Sequence, residues 1–296
     1  MDGEQTARQI AALAQQLALP PDACRRVGEC AQPEFLTRWA AVCRRLTEPD
    51  QAQQAWQELD AALSPRDGDG MQLLTLYLAA ACRTRRRFRE AEIPDAVFWA
   101  TLGCLPRFLQ ETRRRQGRLC FDRGFWCWRQ LSGRLFRLGT LEFEYRLTGT
   151  GEPLPTSVGQ GVPVLSVHIP SDAGLTDSAL QDAYRQASEF FARHRAALCL
   201  QGAPQAMLCS SWLLAPALSS LLPESSGIRR FGRGYRVYAA DLADDGYCTW
   251  LFDGQTDPAH WPRRTRLQRA AAEFLTNGGR IGCGFGIRDP LETGRL

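Results

Sequence analysis

Residues 134–147 read Arg-Leu-Phe-Arg-Leu-Gly-Thr-Leu-Glu-Phe-Glu-Tyr-Arg-Leu, and the fold turns on this stretch. Leu141, Phe143, Tyr145 and Leu147 alternate with Glu142, Glu144 and Arg146, a period of two that marks a half-buried strand with its polar residues on the solvated face. Arg134 to Leu138 pairs back onto it through Gly139-Thr140. The period before this hairpin is helical throughout, so the chain predicts an α+β protein: an all-helical N-terminal domain over 1–131, then a mixed-sheet domain with flanking helices over 132–290.

Upstream, Ile10, Leu13 and Leu17 recur at helical spacing until Pro20-Pro21, and Asp22 is placed to cap a short helix running to Cys30. Phe35, Trp39, Val42, Cys43 and Leu46 stripe the next segment; Asp50 is placed to cap one carrying Ala52, Trp56, Leu59 and Leu63. Asp67-Gly68-Asp69-Gly70 lacks the ligand spacing of an EF-hand and reads as a solvated turn. Met71–Arg87 and Asp95–Arg115 supply two more helical stretches, the second interrupted by Pro106.

Downstream, Thr148–Val162 reads as a long exposed loop and Val164–Ile169 as a buried strand. Thr176 caps a helix with Leu180, Ala183, Tyr184, Ala187, Phe190, Phe191 and His194 on one face. Ala206–Trp212 is a strand, Pro216–Leu222 a short helix, Tyr235–Ala240 and Tyr247–Phe252 a hairpin, Arg263–Thr276 a helix, and Arg280–Ile287 a last strand.

Composition removes whole chemistries. The chain has 296 residues, 44% hydrophobic and 23% charged, the profile of a water-folding globular protein. All 36 basic residues are arginine. Without lysine there is no Walker A loop, no Schiff-base lysine and no kinase strand lysine. Eleven cysteines contain no C-x-x-C pair, and His168, His194 and His260 are far apart, so no metal is expected. The acidic start, Met1-Asp2-Gly3-Glu4, is not that of a signal peptide, and Met71–Cys82 is too short and polar to span a bilayer; the expected location is cytoplasmic, without membrane association.

Four segments carry a resemblance: Phe125-Trp126-Cys127-Trp128-Arg129-Gln130-Leu131-Ser132-Gly133-Arg134-Leu135-Phe136-Arg137-Leu138-Gly139, Leu165-Ser166-Val167-His168-Ile169-Pro170, Cys209-Ser210-Ser211-Trp212-Leu213-Leu214 and Thr265-Arg266-Leu267-Gln268-Arg269. Together they resemble bacterial acyltransferase-domain proteins, which join a helical N-acyltransferase N-terminal domain to a GNAT-like C-terminal domain. The resemblance implies an acyl-CoA co-substrate, acetyl-CoA or another, with acetyl the expected acyl group, whose pantetheine enters a splay between two central strands. Here these are Val164–Ile169 and Ala206–Trp212. It further implies a pyrophosphate held at the head of the following helix by Ile169, Pro170, Ser171, Ala173, Gly174, Leu175 and Thr176, a placement the orphan amides of a helix N-terminus favour. The family pattern R/Q-x-x-G-x-G/A is missing from this turn, which instead holds Asp172, a charge that repels phosphate. Its one literal match, Arg229-Arg230-Phe231-Gly232-Arg233-Gly234, reads as a segment preceding a strand.

Amide-forming acyl transfer needs a deprotonated amine, a polarised thioester and a stabilised leaving thiolate. His168, at the end of the presumed splay strand, is the candidate base, or else a core histidine bound to a carbonyl. Glu144, with Glu142, reads either as a solvated face or as a catalytic carboxylate. Ser211 and Cys209 lie two apart on the partner strand; either can donate to a leaving thiolate, and Cys209 reads alternatively as a nucleophile or a buried hydrophobe. Related enzymes often place a tyrosine acid within the stretch corresponding to Leu213–Leu222, which has none. The expected acceptor is a small-molecule or peptide amine. The alternative reading is a non-catalytic or nucleic-acid-binding module, since Arg83–Arg123 holds eleven arginines against five acids; interspersed acids and the lack of any nucleic-acid motif favour a salt-bridged face instead.

Overall fold

The computed structural model describes residues 3–288, and Cα packing divides the chain into two compact units between Arg137 and Leu138. The first unit contains α1 (Gly3–Gln16), α2 (Pro21–Cys30), α3 (Pro33–Arg45), α4 (Ala52–Leu63), α5 (Met71–Glu90), α6 (Asp95–Leu102), α7 (Cys104–Gln116) and α8 (Gly124–Ser132). Helix α5 is the hub, buried along most of its length, with α1, α2, α3, α4, α6 and α8 packed around it. Two buried hydrogen bonds lock α8 to it: Tyr77 Oη donates to the Gly124 carbonyl (2.8 Å), and Thr84 Oγ1 to that of Leu131 (2.6 Å).

Helix starts differ from expectation in their chemistry. Asp22 and Asp50 are not caps: Pro20 and Gln51 occupy those positions, and Pro21 and Pro33 open their helices in the first turn, where a missing N–H is harmless. The Asp67–Gly70 segment is structural, not solvated. The Asp67 carboxylate accepts from the Gln72 and Leu73 amides at the head of α5, while Asp69 accepts from Met71 N–H and pairs with Arg26. The interruption near Pro106 falls at Gly103, between α6 and α7, because a proline in the first turn of α7 needs no donor.

The second unit begins inside β1 (Leu135–Leu138). It continues with β2 (Leu141–Leu147), β3 (Pro163–His168), α9 (Asp177–His194), β4 (Met207–Ser211), a 3-10 turn (Trp212–Leu214), α10 (Leu218–Leu221), α11 (Gly227–Arg233), β5 (Arg236–Asp241), α12 (Tyr247–Leu251), a second 3-10 turn (Pro258–His260), α13 (Arg266–Thr276) and β6 (Cys283–Arg288). The six strands form one mixed sheet in the order β1-β2-β3-β4-β6-β5. Positions 289 and 290 of the expected second domain lie outside the described residues. Among the described residues no helix is long and apolar enough to cross a membrane.

One sheet face is covered by α9. Phe143 meets Tyr184 edge-on and Tyr145 stacks on Phe191, while Tyr184 Oη donates to Tyr235 Oη (3.1 Å) and the Arg288 guanidinium lies 4.2 Å from the Tyr184 ring. A separate core of Ala215, Leu218, Leu251, Phe252, Ala271, Ala272 and Ile281 joins α10, α12 and α13.

That core explains one departure from the sequence pattern. Tyr247–Phe252 forms helix α12, not a strand, because Leu251 and Phe252 must both enter the same cluster, where Phe252 stacks on Trp261 at 4.4 Å. The Arg229–Gly234 segment does precede a strand, β5, and most of it is helix α11. Glu142 and Glu144, expected on a solvated face, are buried, so β2 is sealed on both sides over most of its length. The 148–162 loop is tied down. Arg146 grips Glu152 with two guanidinium nitrogens at 2.7 Å, Thr148 Oγ1 donates to the Gly159 carbonyl, and Val158 is buried.

The β1–β2 turn depends on Gly139, whose φ is +61° and whose missing Cβ would sit 3.0 Å from Ala183 Cα on α9. A left-handed backbone and a close helix together leave no room for a side chain. Gly139→Ala is expected to lower stability by about 2 kcal/mol, read as an earlier urea midpoint with an unchanged slope.

Candidate active site

The parallel ladder between β3 and β4 contains two bridges, Leu165↔Met207 and Ser166↔Leu208. Beyond them each strand follows its outer neighbour. β3 stays with β2 as far as Glu142↔His168, and β4 stays with β6 as far as Ser211↔Gly284. The C-terminal part of the seam, between Val167-His168 on one lip and Cys209-Ser210-Ser211 on the other, is left without bridges. The 3-10 turn after β4 can lie directly on β6 because Gly284 has no side chain: a Cβ there would lie 2.2 Å from the Leu214 carbonyl oxygen.

Register assigns the side chains to faces. Glu142, Glu144 and Arg146 of β2 share a face with Ser166 and His168 of β3, and Ser166↔Leu208 extends that face to Leu208 and Ser210 of β4. Val167, Cys209 and Ser211 project to the other side, which α9 covers. The four residues suggested for chemistry are therefore divided by the sheet. His168 and Glu144 are brought together; Cys209 and Ser211 lie on the opposite face. Ser210, which sequence spacing passes over, is on the His168 face and exposed. Only the β3–β4 register identifies it, and that register is not written in either strand.

His168 Nε2 and Glu144 Oε2 are 3.1 Å apart, with the two side chains 25% and 10% exposed. Against an ionised carboxylate, which only accepts, it is Nε2–H that donates this bond. Such a pairing fixes the orientation of the ring. Next along the face, Arg146 Nε donates to Ser166 Oγ (2.6 Å) while its other nitrogens hold Glu152. Cys209 is buried, and desolvation, with Cys283 adding to it, pushes its thiol far above the usual range; it is a packed neutral thiol. Ser211 Oγ accepts from the Leu213 amide and caps the 3-10 turn.

The turn at 169–176 leads from β3 into α9. Pro170 is buried and its carbonyl accepts from Ala173 N–H; Ile169, Ala173 and Leu175 are half-buried, while Ser171, Asp172, Gly174 and Thr176 are exposed. Gly174 N–H is taken by Thr140 Oγ1 (2.6 Å), and Ala179 N–H by the Thr176 cap (3.3 Å). Asp177 and Ser178 fill the first helical turn, whose amides have no intrahelical acceptor. Helix α11 packs beside this turn. Arg230 Nη1 donates to the Leu175 carbonyl (3.0 Å) and its Nε faces Asp177 at 3.3 Å, so the one literal glycine-motif segment contributes an arginine to the head of α9 from outside the strand–helix turn.

This constellation, a pair of central parallel strands unbridged at their C-terminal ends and leading into a capped helix, coincides with what comparison finds. The model of the GNAT-like C-terminal domain matches residues 135–288, over half of the chain, and that of the N-acyltransferase N-terminal domain matches residues 8–133. The chain belongs to the GNAT-like acyltransferases. An acyltransferase solved in complex with decanoyl-CoA and teicoplanin is similar to it over 94% of this chain and 86% of that one, at 25% identity and a TM-score of 0.73. An acyltransferase in complex with decanoyl-CoA shares the fold over 98% and 99% of the two chains, at 22% identity and a TM-score of 0.64. No curated protein matches.

In this acyltransferase many arginines of the basic region are paired with acids from inside and outside it. Arg85 and Arg89 share Asp95, while Arg113 pairs with Asp22, Arg115 with Asp122, Arg87 with Glu48 and Arg107 with Glu111. Among the described residues no group of three or more His, Cys, Asp or Glu could hold a metal.

The Arg146–Glu152 pair generates a pH test. Burial works to raise the Glu152 pKa, but Arg146 and the Gly149 amide outweigh it and hold the carboxyl below its usual value. A depressed carboxylate stabilises above its unfolded pKa of about 4.3 and loses that contribution as pH falls through the folded value. Glu152→Gln is expected to cost about 1 kcal/mol at neutral pH, with the gap from wild type closing in denaturation curves taken at progressively lower pH below about 4.

Proposed function

We propose that this acyltransferase moves an acyl group from acyl-CoA to a primary amine of a small molecule or peptide, with His168, oriented by Glu144, as base. The observation that carries this is the two-bridge β3–β4 ladder ending in a histidine–carboxylate pair on one lip. An unbridged stretch between strands suits a thin thioester arm, and the backbone groups there suit its amides. The amine nitrogen attacks the thioester carbonyl carbon, its proton passes to His168, and the C–S electron pair leaves on sulfur. Glu144 compensates the imidazolium that forms.

The phosphates fall to the turn at 169–176. Thr176 and Ser178 supply hydroxyls, the first-turn amides of α9 supply donors, and Arg230 offsets Asp177, whose charge would otherwise oppose them. Solved relatives in complex with octanoyl-CoA and decanoyl-CoA support an acyl chain longer than acetyl. The teicoplanin held by one relative supports a bulky acceptor. We place the boundary between a helical domain and the catalytic domain at residues 131–138, and eleven free cysteines support operation in a reducing, cytoplasmic setting.

Melting curves with octanoyl-CoA test the co-substrate: a rise of several degrees is expected, and no rise across acetyl-, octanoyl- and decanoyl-CoA overturns the assignment. Arg230→Ala is expected to raise KM for octanoyl-CoA about tenfold with kcat little changed, because it exposes Asp177 to the phosphates. With hydroxylamine as acceptor, His168→Ala is expected to cut kcat by about a hundredfold, and Glu144→Gln by roughly tenfold. An unaltered pH–rate profile in His168→Ala removes it as the base.

A further inference from the structure

The face that carries His168 also carries a hydroxyl. Carried two residues past the last bridge, the β3–β4 register sets His168 level with Ser210, on opposite lips of the seam and on one face of the sheet. Ser210 is exposed although Cys209 beside it is buried. Its Oγ lies 3.3 Å from Cys283 Sγ, and the Cys283 thiol donates onward to the Gly284 carbonyl (3.7 Å). With that thiol acting as donor, its sulfur is left to accept from Ser210, and a neutral sulfur is a weak acceptor. The contact therefore orients the Ser210 hydroxyl without committing it. The backbone agrees. Leu165 N–H bonds the Ala206 carbonyl, and the two bridges make Leu208 the β4 residue whose amide faces β3; by strand alternation Ser210 N–H faces the same way, into the seam.

We propose that Ser210 is a catalytic residue of this acyltransferase, its hydroxyl and its amide N–H donating to the CoA sulfur as the C–S bond breaks. The inference rests on the acyl-CoA reading above. The C–N bond forms, the C–S pair moves onto sulfur, the amine proton goes to His168, and Ser210 keeps its own proton, sharing it in a charge-assisted hydrogen bond that strengthens as negative charge develops. This gives the chain a leaving-group donor where no tyrosine occupies the Leu213–Leu222 stretch.

The test uses the full-length protein with free CoA and follows the ultraviolet absorbance of the bound thiolate against pH. In the wild type the bound thiol is expected to titrate about one pKa unit below its value on Ser210→Ala, with Ser210→Thr close to wild type. With decanoyl-CoA and hydroxylamine, Ser210→Ala is expected to lower kcat about tenfold at unchanged KM. Coincident thiol titrations in wild type and Ser210→Ala, with CoA still raising the melting temperature of both, overturn this role and leave the acyl-CoA reading standing. If CoA raises the melting temperature of neither, the acyl-CoA reading and this role fall together.

Discussion

Two parallel strands held by only two bridges go unbridged at one end when each has a longer pairing elsewhere. β3 is bound to β2 across six residue pairs and β4 to β6 across five, so the β3–β4 seam has fewer pairs than the seam on either side of it. The unbridged end of the seam follows from sheet topology: a parallel pair sits between two antiparallel ones, and the antiparallel pairs run longer. Every feature proposed for function is arranged about this seam. His168 ends one lip, Ser210 sits on the other, and the turn below leads directly into α9.

The two sheet faces divide the labour. On the α9 side, Phe143, Tyr145, Tyr184, Phe191 and Tyr235 supply apolar burial, and Cys209 is one more small apolar filler. The other face retains charge. Glu142 and Glu144 are buried there, and a buried carboxylate is sustained only by partners such as His168. Arg146, reaching Ser166 and Glu152 together, extends the same polar row and tethers the 148–162 loop to its margin.

Much of this was legible in residue order. The helical face of α9 matches the pattern Leu180, Ala183, Tyr184, Ala187, Phe190, Phe191, His194 residue for residue, and Thr176 caps it, because a long amphipathic helix with an N-cap hydroxyl is determined locally. His168 and Glu144 were both legible as candidates, but nothing in their 24-residue separation announces a 3.1 Å contact. Misreadings cluster where local preference yields to distant packing. Tyr247–Phe252 has strand-like composition, yet the α13 core takes Leu251 and Phe252 together and winds the segment into a helix. Alternation in β2 suggested a wet face, and burial of its glutamates depends on residues far away in the chain.

By itself, then, the sequence determined the run of helices before residue 134, the switch from period 3.6 to period 2 there, the amphipathic face of α9 and the absence of lysine-dependent chemistry, since these follow from near-neighbour sterics and residue type. The tertiary structure alone decided which side chains share a face and where the central seam of the sheet goes unbridged. Register between strands 40 residues apart is set by the whole set of pairings, so only the assembled sheet could move Ser211 away from His168 and bring Ser210 level with it.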